Sequence, residues 1–243
     1  MSTKSKILSV TIFTLLLGVV VVANIWRRQA SVRDVRVDID YGESDTLVTS
    51  QQVAEYIRAK IPELMETQLR NVDLDVVDSV ASCVPFLRDC HSGTSINGSV
   101  VVYAVQRHPV VHVCVGKEEF YLDDQCVRMP ISSHGFANVI VANGVIPAKG
   151  DAIKYVWKLA NYIDQHPDIS PLFDQIYREE DGDLFLVPKL GNHVVEIGIP
   201  NDLDAKFHNL LAFYTRGLPQ VGWDTYSQVS VKYKKQVVCT RRE

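Results

Sequence analysis

The spacing of apolar and polar positions predicts most of the elements before any other property is needed. Residues 7–26 read ILSVTIFTLLLGVVVVANIW, an unbroken run without a charged side chain. At about 1.5 Å per residue such a helix is about 30 Å long, the hydrocarbon thickness of a bilayer. The period then drops to two: Val35, Val37 and Ile39 alternate with Arg36, Asp38 and Asp40, which predicts a strand over residues 35–41. Thr49 and Gln52 have the spacing of a capping box ahead of Val53, Ile57, Ile61 and Leu64, a helical stripe. Asp73 can cap a second helix with Leu74, Val77, Val80, Ala81 and Val84 on one face, closed by Pro85. Strands over residues 90–96 and 100–105 follow, joined by Asn97-Gly98, a strong hairpin signal.

Pro109 breaks this pattern and a second region begins. Residues 110–115 and 120–122 predict a hairpin around Gly116, and residues 137–141 a further short strand. Residues 151–165 are amphipathic, with Ile153, Val156, Trp157, Ala160 and Ile163 on one side. Strand-like runs occupy residues 184–187, 193–199 and 226–239, with a helix over residues 204–214 between the last two. The expected fold class is α+β. It comprises a cytoplasmic tail (1–6), a transmembrane helix (7–26), a linker (27–34), a small β-α-α-β-β domain (35–109) and a mostly β domain with two helices (110–243).

Composition narrows the function. A net charge of −4 argues against a nucleic-acid binder. Five cysteines, with no C-x-x-C pair, give neither a disulfide scaffold nor a zinc spacing. Two pairings, Cys83 with Cys90 and Cys114 with Cys126, stay open. The apolar run exceeds a signal-peptide core of roughly 7–15 residues, so an uncleaved anchor is expected. Lys4 and Lys6 before it balance Arg27 and Arg28 after it, and charge alone does not orient it.

Candidate chemistry is sparse. His108 and His112 have a helical ligand spacing, but Pro109 lies between them in a strand context, so packing or surface roles are expected. The acidic run at residues 179–183 lacks the ligand periodicity of a calcium loop, and Asp181-Gly182 reads as a turn. No G-x-S-x-G elbow, phosphate-binding loop or dinucleotide fingerprint occurs, so neither an enzyme nor a cofactor is expected. The last strand is the exception. Val229, Val231, Tyr233 and Lys235 share one face by period two, and from Trp223 onward five basic residues meet two acidic ones. Read one way this is an edge guarded by lysines; read another it is an edge open to strand addition by a partner.

Several short motifs resemble one family. Pro85-Phe86-Leu87-Arg88-Asp89-Cys90, then Asn97-Gly98, then the run from Val105 through Gln106-Arg107-His108-Pro109 to Val111, resemble the POTRA domain of FtsQ/DivIB cell-division proteins. Phe120-Tyr121-Leu122-Asp123, Met129-Pro130 and the closing run from Val231 to Cys239 are similar to later passages of that family, with Gln125-Cys126 where a glycine turn is usual. The resemblance implies a non-enzymatic assembly factor of the division septum, single-pass in the bacterial inner membrane with its body in the periplasm. It implies FtsB- and FtsL-like bitopic partners, influence on septal peptidoglycan synthesis, and strand addition at the last strands. By motif match Lys232 and Tyr233, and then Lys235, carry over as contacts; Tyr226, Val229 and Val231 complete the expected partner-binding set. A POTRA-containing envelope scaffold not dedicated to division is the alternative.

Overall fold

The computed structural model describes residues 12–19, 31–147 and 150–243. Of the expected membrane span, residues 12–19 are helical and exposed, and the remainder lies outside the described residues. Among the described residues no helix is long and apolar enough to cross a membrane. The chain divides into two compact units, one holding the described residues up to Gly42 with Val48–Gln106, the other Glu43–Leu47 with Arg107–Glu243.

The first unit runs β1 (Asp34–Asp40), α1 (Ser50–Lys60), two short 3-10 turns, α2 (Leu74–Ser82), β2 (Leu87–Thr94) and β3 (Ser99–Gln106). Its sheet has the order β1-β3-β2, with β1 parallel and β2 antiparallel to the central strand. The local signals act as their chemistry requires. Thr49 Oγ1 accepts from the Gln52 amide at 3.2 Å while Gln52 Oε1 accepts from the Thr49 amide at 2.9 Å, which satisfies amides the helix leaves free. Asp73 accepts from the Asp75 and Val76 amides. Val53, Ile57, Val77 and Ala81 of the helices then pack on Val35, Val100 and Val102 of the sheet. β2 starts at Leu87 rather than Cys90. As an edge strand it tolerates the polar Ser92, whose hydroxyl donates to the Leu74 carbonyl at 3.1 Å.

The second unit contains β4 (Pro109–Val115), β5 (Glu118–Asp123), β6 (Arg128–Met129), β7 (Ile140–Gly144), α3 (Asp151–Asp164), β8 (Phe173–Arg178), β9 (Leu184–Pro188), β10 (Val194–Gly198), α4 (Leu203–Arg216), a short α5 (Leu218–Val221), β11 (Tyr226–Ser230) and β12 (Val238–Arg241). Its nine strands are ordered β12-β11-β10-β9-β8-β7-β4-β5-β6. Strand pairing lines up Val113, Ala142, Ile176, Leu186, Val195 and Val229 as one apolar row across the sheet. The buried faces of α3 (Val156, Leu159, Ile163) and α4 (Phe207, Leu210) belong to the same core. Alternation therefore turns His112, Cys114, Gln175, Tyr177 and Glu196 to the opposite face, away from the helices.

Three expectations change. His108 and Pro109 open the second unit rather than closing the first, and Glu43–Leu47 join them: the Asn138 amide donates to Asp45 Oδ2 at 2.8 Å. β8 appears where the sequence shows no clear alternation, and the strand expected over 137–141 sits at Ile140–Gly144. The closing strand is two strands. β11 ends at Ser230 and β12 returns antiparallel from Val238, pairing Val229 with Cys239 and Ser230 with Val238.

Candidate functional site

The last hairpin is built by a loop that its own charges pin down. After Ser230 the chain leaves the sheet: the Val231 amide donates to the Glu196 carbonyl at 2.9 Å, and Val231 enters the core. Lys232 lies back across the end of β10 to pair with Asp183, with Glu196 at 3.5 Å. That path depends on Gly198. With φ +67° it sits in the left-handed region, and a Cβ there would fall 2.8 Å from Lys232 Cγ. Lys234 pairs with Asp202 at 2.9 Å beside the first turn of α4, a solvent-exposed contact whose hydrogen bond lowers the Asp202 pKa. Lys235 takes φ +62°, which turns the chain toward β12.

Beneath this loop lies a buried cation. Lys206 of α4 donates to the Ile197 carbonyl at 2.8 Å, to the Ile199 carbonyl at 2.7 Å and to Asn201 Oδ1 at 3.0 Å. These bonds satisfy carbonyls where β10 ends, and burial lowers the Lys206 pKa from the ordinary lysine value. Between α4 and the loop runs a groove of about 530 Å³, lined by Ala205, His208 and Asn209 on one wall and Tyr233 and Lys235 on the other. Tyr233 stands at this groove with 54% of its surface exposed. β12 is the outermost strand of the sheet, so alternate residues of Val238–Arg241 turn their N–H and C=O groups away from β11.

The six expected contact residues therefore separate. Tyr226 is half-buried at the start of β11; Lys232, Tyr233 and Lys235 lie in the connecting loop. Val229 and Val231 have 0% and 1% of their surface exposed, so their side chains face the helices and not a partner. The outer edge is β12, not a continuous strand over 226–238, because Lys235 turns left-handed and Lys232 and Lys234 tie the loop to acidic residues of other elements. Those ties also use up much of the basic surplus counted in the sequence. Sequence reasoning missed Asp183, Gly198, Asp202 and Lys206. Asp183 was legible only as a turn neighbour, and none of the four carries a local signal for its long-range partner.

The remaining candidates resolve structurally. Both ring nitrogens of His108 are engaged, Nδ1 with Ser44 Oγ at 2.5 Å and Nε2 with Asp164 at 3.0 Å, which raises its pKa chiefly through the Asp164 hydrogen bond. Asp181 Oδ1 accepts from the Asp183 amide at 3.0 Å, with Gly182 left-handed, a turn as expected. All five cysteines are unpaired. Arg107 donates to Asp123 at 2.7 Å, and Asp123 also accepts from the Gln125 and Val127 amides. The Q-R-x-P and Y-L-D segments thus meet in one buried ion pair. Cys126, with φ +62°, holds the left-handed turn position that a glycine would fill.

Unpaired backbone groups at an open sheet edge are what a protein surface offers an incoming extended chain. The FtsQ/DivIB, C-terminal related family model matches residues 108–240, and the chain belongs to that family, one of cell-division proteins. No curated protein matches the chain.

Proposed function

We propose that the chain is a non-enzymatic assembly protein of the bacterial divisome that receives a strand from an FtsB- or FtsL-like bitopic partner on the outer edge of β12. The observations carrying this reading are that open edge and, on the loop that leads into it, Tyr233 exposed at the α4 groove. Backbone pairing along Val238–Arg241 supplies affinity, and Tyr233, with a rigid apolar ring and a polar tip, supplies an anchor of the kind enriched at interface hot spots. Tyr226 and Lys235 flank it; Lys232 acts by holding the loop. The β-α-α-β-β order of the first unit supports a POTRA-like module, and the uncharged residues 7–26 support a single inner-membrane anchor with the body in the periplasm. Influence on septal peptidoglycan synthesis follows from engaging such partners.

The test has two parts. A fluorescent fusion of the full chain in its native host concentrates at midcell, and a photo-crosslinker at Thr240 captures a small bitopic protein while one at Tyr103, exposed in the first unit, does not. Uniform envelope distribution contradicts the division role, and equal capture at both positions contradicts the β12 site.

A further inference from the structure

We infer that the β4–β5 hairpin carries a binding site for a borderline-soft divalent cation of the Zn²⁺ type, formed by His112, Cys114 and Glu119. Nothing in the partner-binding reading requires it. His112 and Cys114 are alternate residues of β4 and so share a face, and Glu119 of β5 stands directly opposite Cys114. Their ligand atoms all lie within 4.8 Å of one another. His112 Nε2 is 3.6 Å from Cys114 Sγ and 3.6 Å from Glu119 Oε2.

Those separations are compatible with a hydrogen-bonded cluster and with a metal site. A thiol donating to an imidazole would also sit at this distance, so contact alone is neutral. A tetrahedral zinc with Zn–S of about 2.3 Å and Zn–N and Zn–O of about 2.0–2.1 Å has S···N edges of about 3.5 Å and N···O edges of about 3.4 Å. The two edges in the structure, 3.6 Å each, match this to a few tenths of an ångström. Rotation of Glu119, the most exposed of the three, can close the third.

The frame is rigid where a metal site needs it to be. Val111, Val113 and Phe120, which alternate with the ligands, are buried in the core and fix both strands. The His112 ring packs on Tyr121 at 5.0 Å between centroids, which limits its rotation. Thiolate, imidazole and carboxylate together select a zinc-like ion over Mg²⁺ or Ca²⁺, which take oxygen ligands. Three protein ligands leave a fourth position for water. The sequence hid this site because its ligands have the i, i+2 spacing of a strand, completed across a hairpin, rather than a helical or C-x-x-C spacing.

The probe is Co²⁺, added to the reduced full-length chain and followed by absorption. One equivalent binds with a thiolate-to-cobalt charge-transfer band, and Zn²⁺ displaces it. Cys114→Ser abolishes the band and His112→Gln weakens binding by more than about a hundredfold. Glu119→Gln keeps the band with weaker affinity, and Cys83→Ser leaves both unchanged. Thermal melting of each variant without metal separates loss of ligand from loss of fold; His112→Gln stands in should Cys114→Ser not fold. Absence of the band, its survival in Cys114→Ser, or its loss in Cys83→Ser overturns the site.

Discussion

Replacing Asp123 by alanine tests how the second unit is held together at the start of its sheet. Asp123 is fully buried, and its carboxylate accepts from Arg107 Nη1 at 2.7 Å and from the Gln125 and Val127 amides at 3.0 and 2.6 Å. Removing one partner of a buried ion pair costs about 3–5 kcal/mol, because the other charge is left without compensation. Arg107 keeps 18% of its side chain exposed, so water relieves part of this and the lower end, about 3 kcal/mol, applies. The two amides lose bonds of about 1 kcal/mol each. The expected loss is therefore about 4–5 kcal/mol, or a fall in melting temperature of roughly 8–20 °C. Tryptophan fluorescence during urea unfolding is the assay, since the Trp157 indole donates to the Asp123 carbonyl at 2.8 Å and reports on this corner. A double-mutant cycle with Arg107→Ala should give a coupling of about 1 kcal/mol or more. A loss below about 1 kcal/mol for Asp123→Ala, or no coupling, refutes the reasoning.

Further outcomes follow from the same geometry. Burial lowers the His193 pKa below 6.5, so the unfolded chain takes up the proton first, and stability falls as pH drops below about 6.5; His193→Phe should flatten that loss in unfolding measured across acid pH. His108 has the opposite sign: Asp164 raises its pKa above 6.5, so its contribution is full below that value and is lost as pH rises through the folded pKa. His108→Ala should accordingly destabilise more in acid than at about pH 8. Gly198→Ala places a Cβ in the path of Lys232 and strains a φ of +67°, and should raise amide exchange across the 231–237 loop while β12 stays paired; an unchanged loop contradicts the pinning role.

Elements defined by neighbouring residues were legible in the sequence. The Thr49–Gln52 box, the Asp73 cap, the Asn97-Gly98 turn and the amphipathic stripe of α3 act within a few residues, and each produces the expected element. β8 was not legible because it crosses the middle of the sheet with Gln175 and Tyr177 on the face opposite α3 and α4. The closing strand was misread for a different reason. Alternation persists through Val229, Val231 and Tyr233, but the chain leaves the sheet after Ser230, where Lys232 pairs with Asp183, Lys234 with Asp202 and Lys235 turns left-handed, none of it signalled by neighbouring residues. The candidate site shares that fate: its exposed members, Tyr233 and Lys235, were visible as a basic aromatic run, while its groove and true edge exist only once α4 and β12 are in place.

The most direct measurement of the account is the affinity of the full-length chain for an FtsB-like partner when the β12 edge and its anchor are altered one at a time. Tyr233→Ala should weaken binding by about 2 kcal/mol, roughly thirtyfold. Consecutive strand amides face opposite ways, so of Val238→Pro and Cys239→Pro one removes an outward amide and should abolish capture without lowering the melting temperature. If all three variants remain folded and bind the partner as the parent chain does, β12 is a guarded edge only, and the claim that this edge receives the partner is wrong.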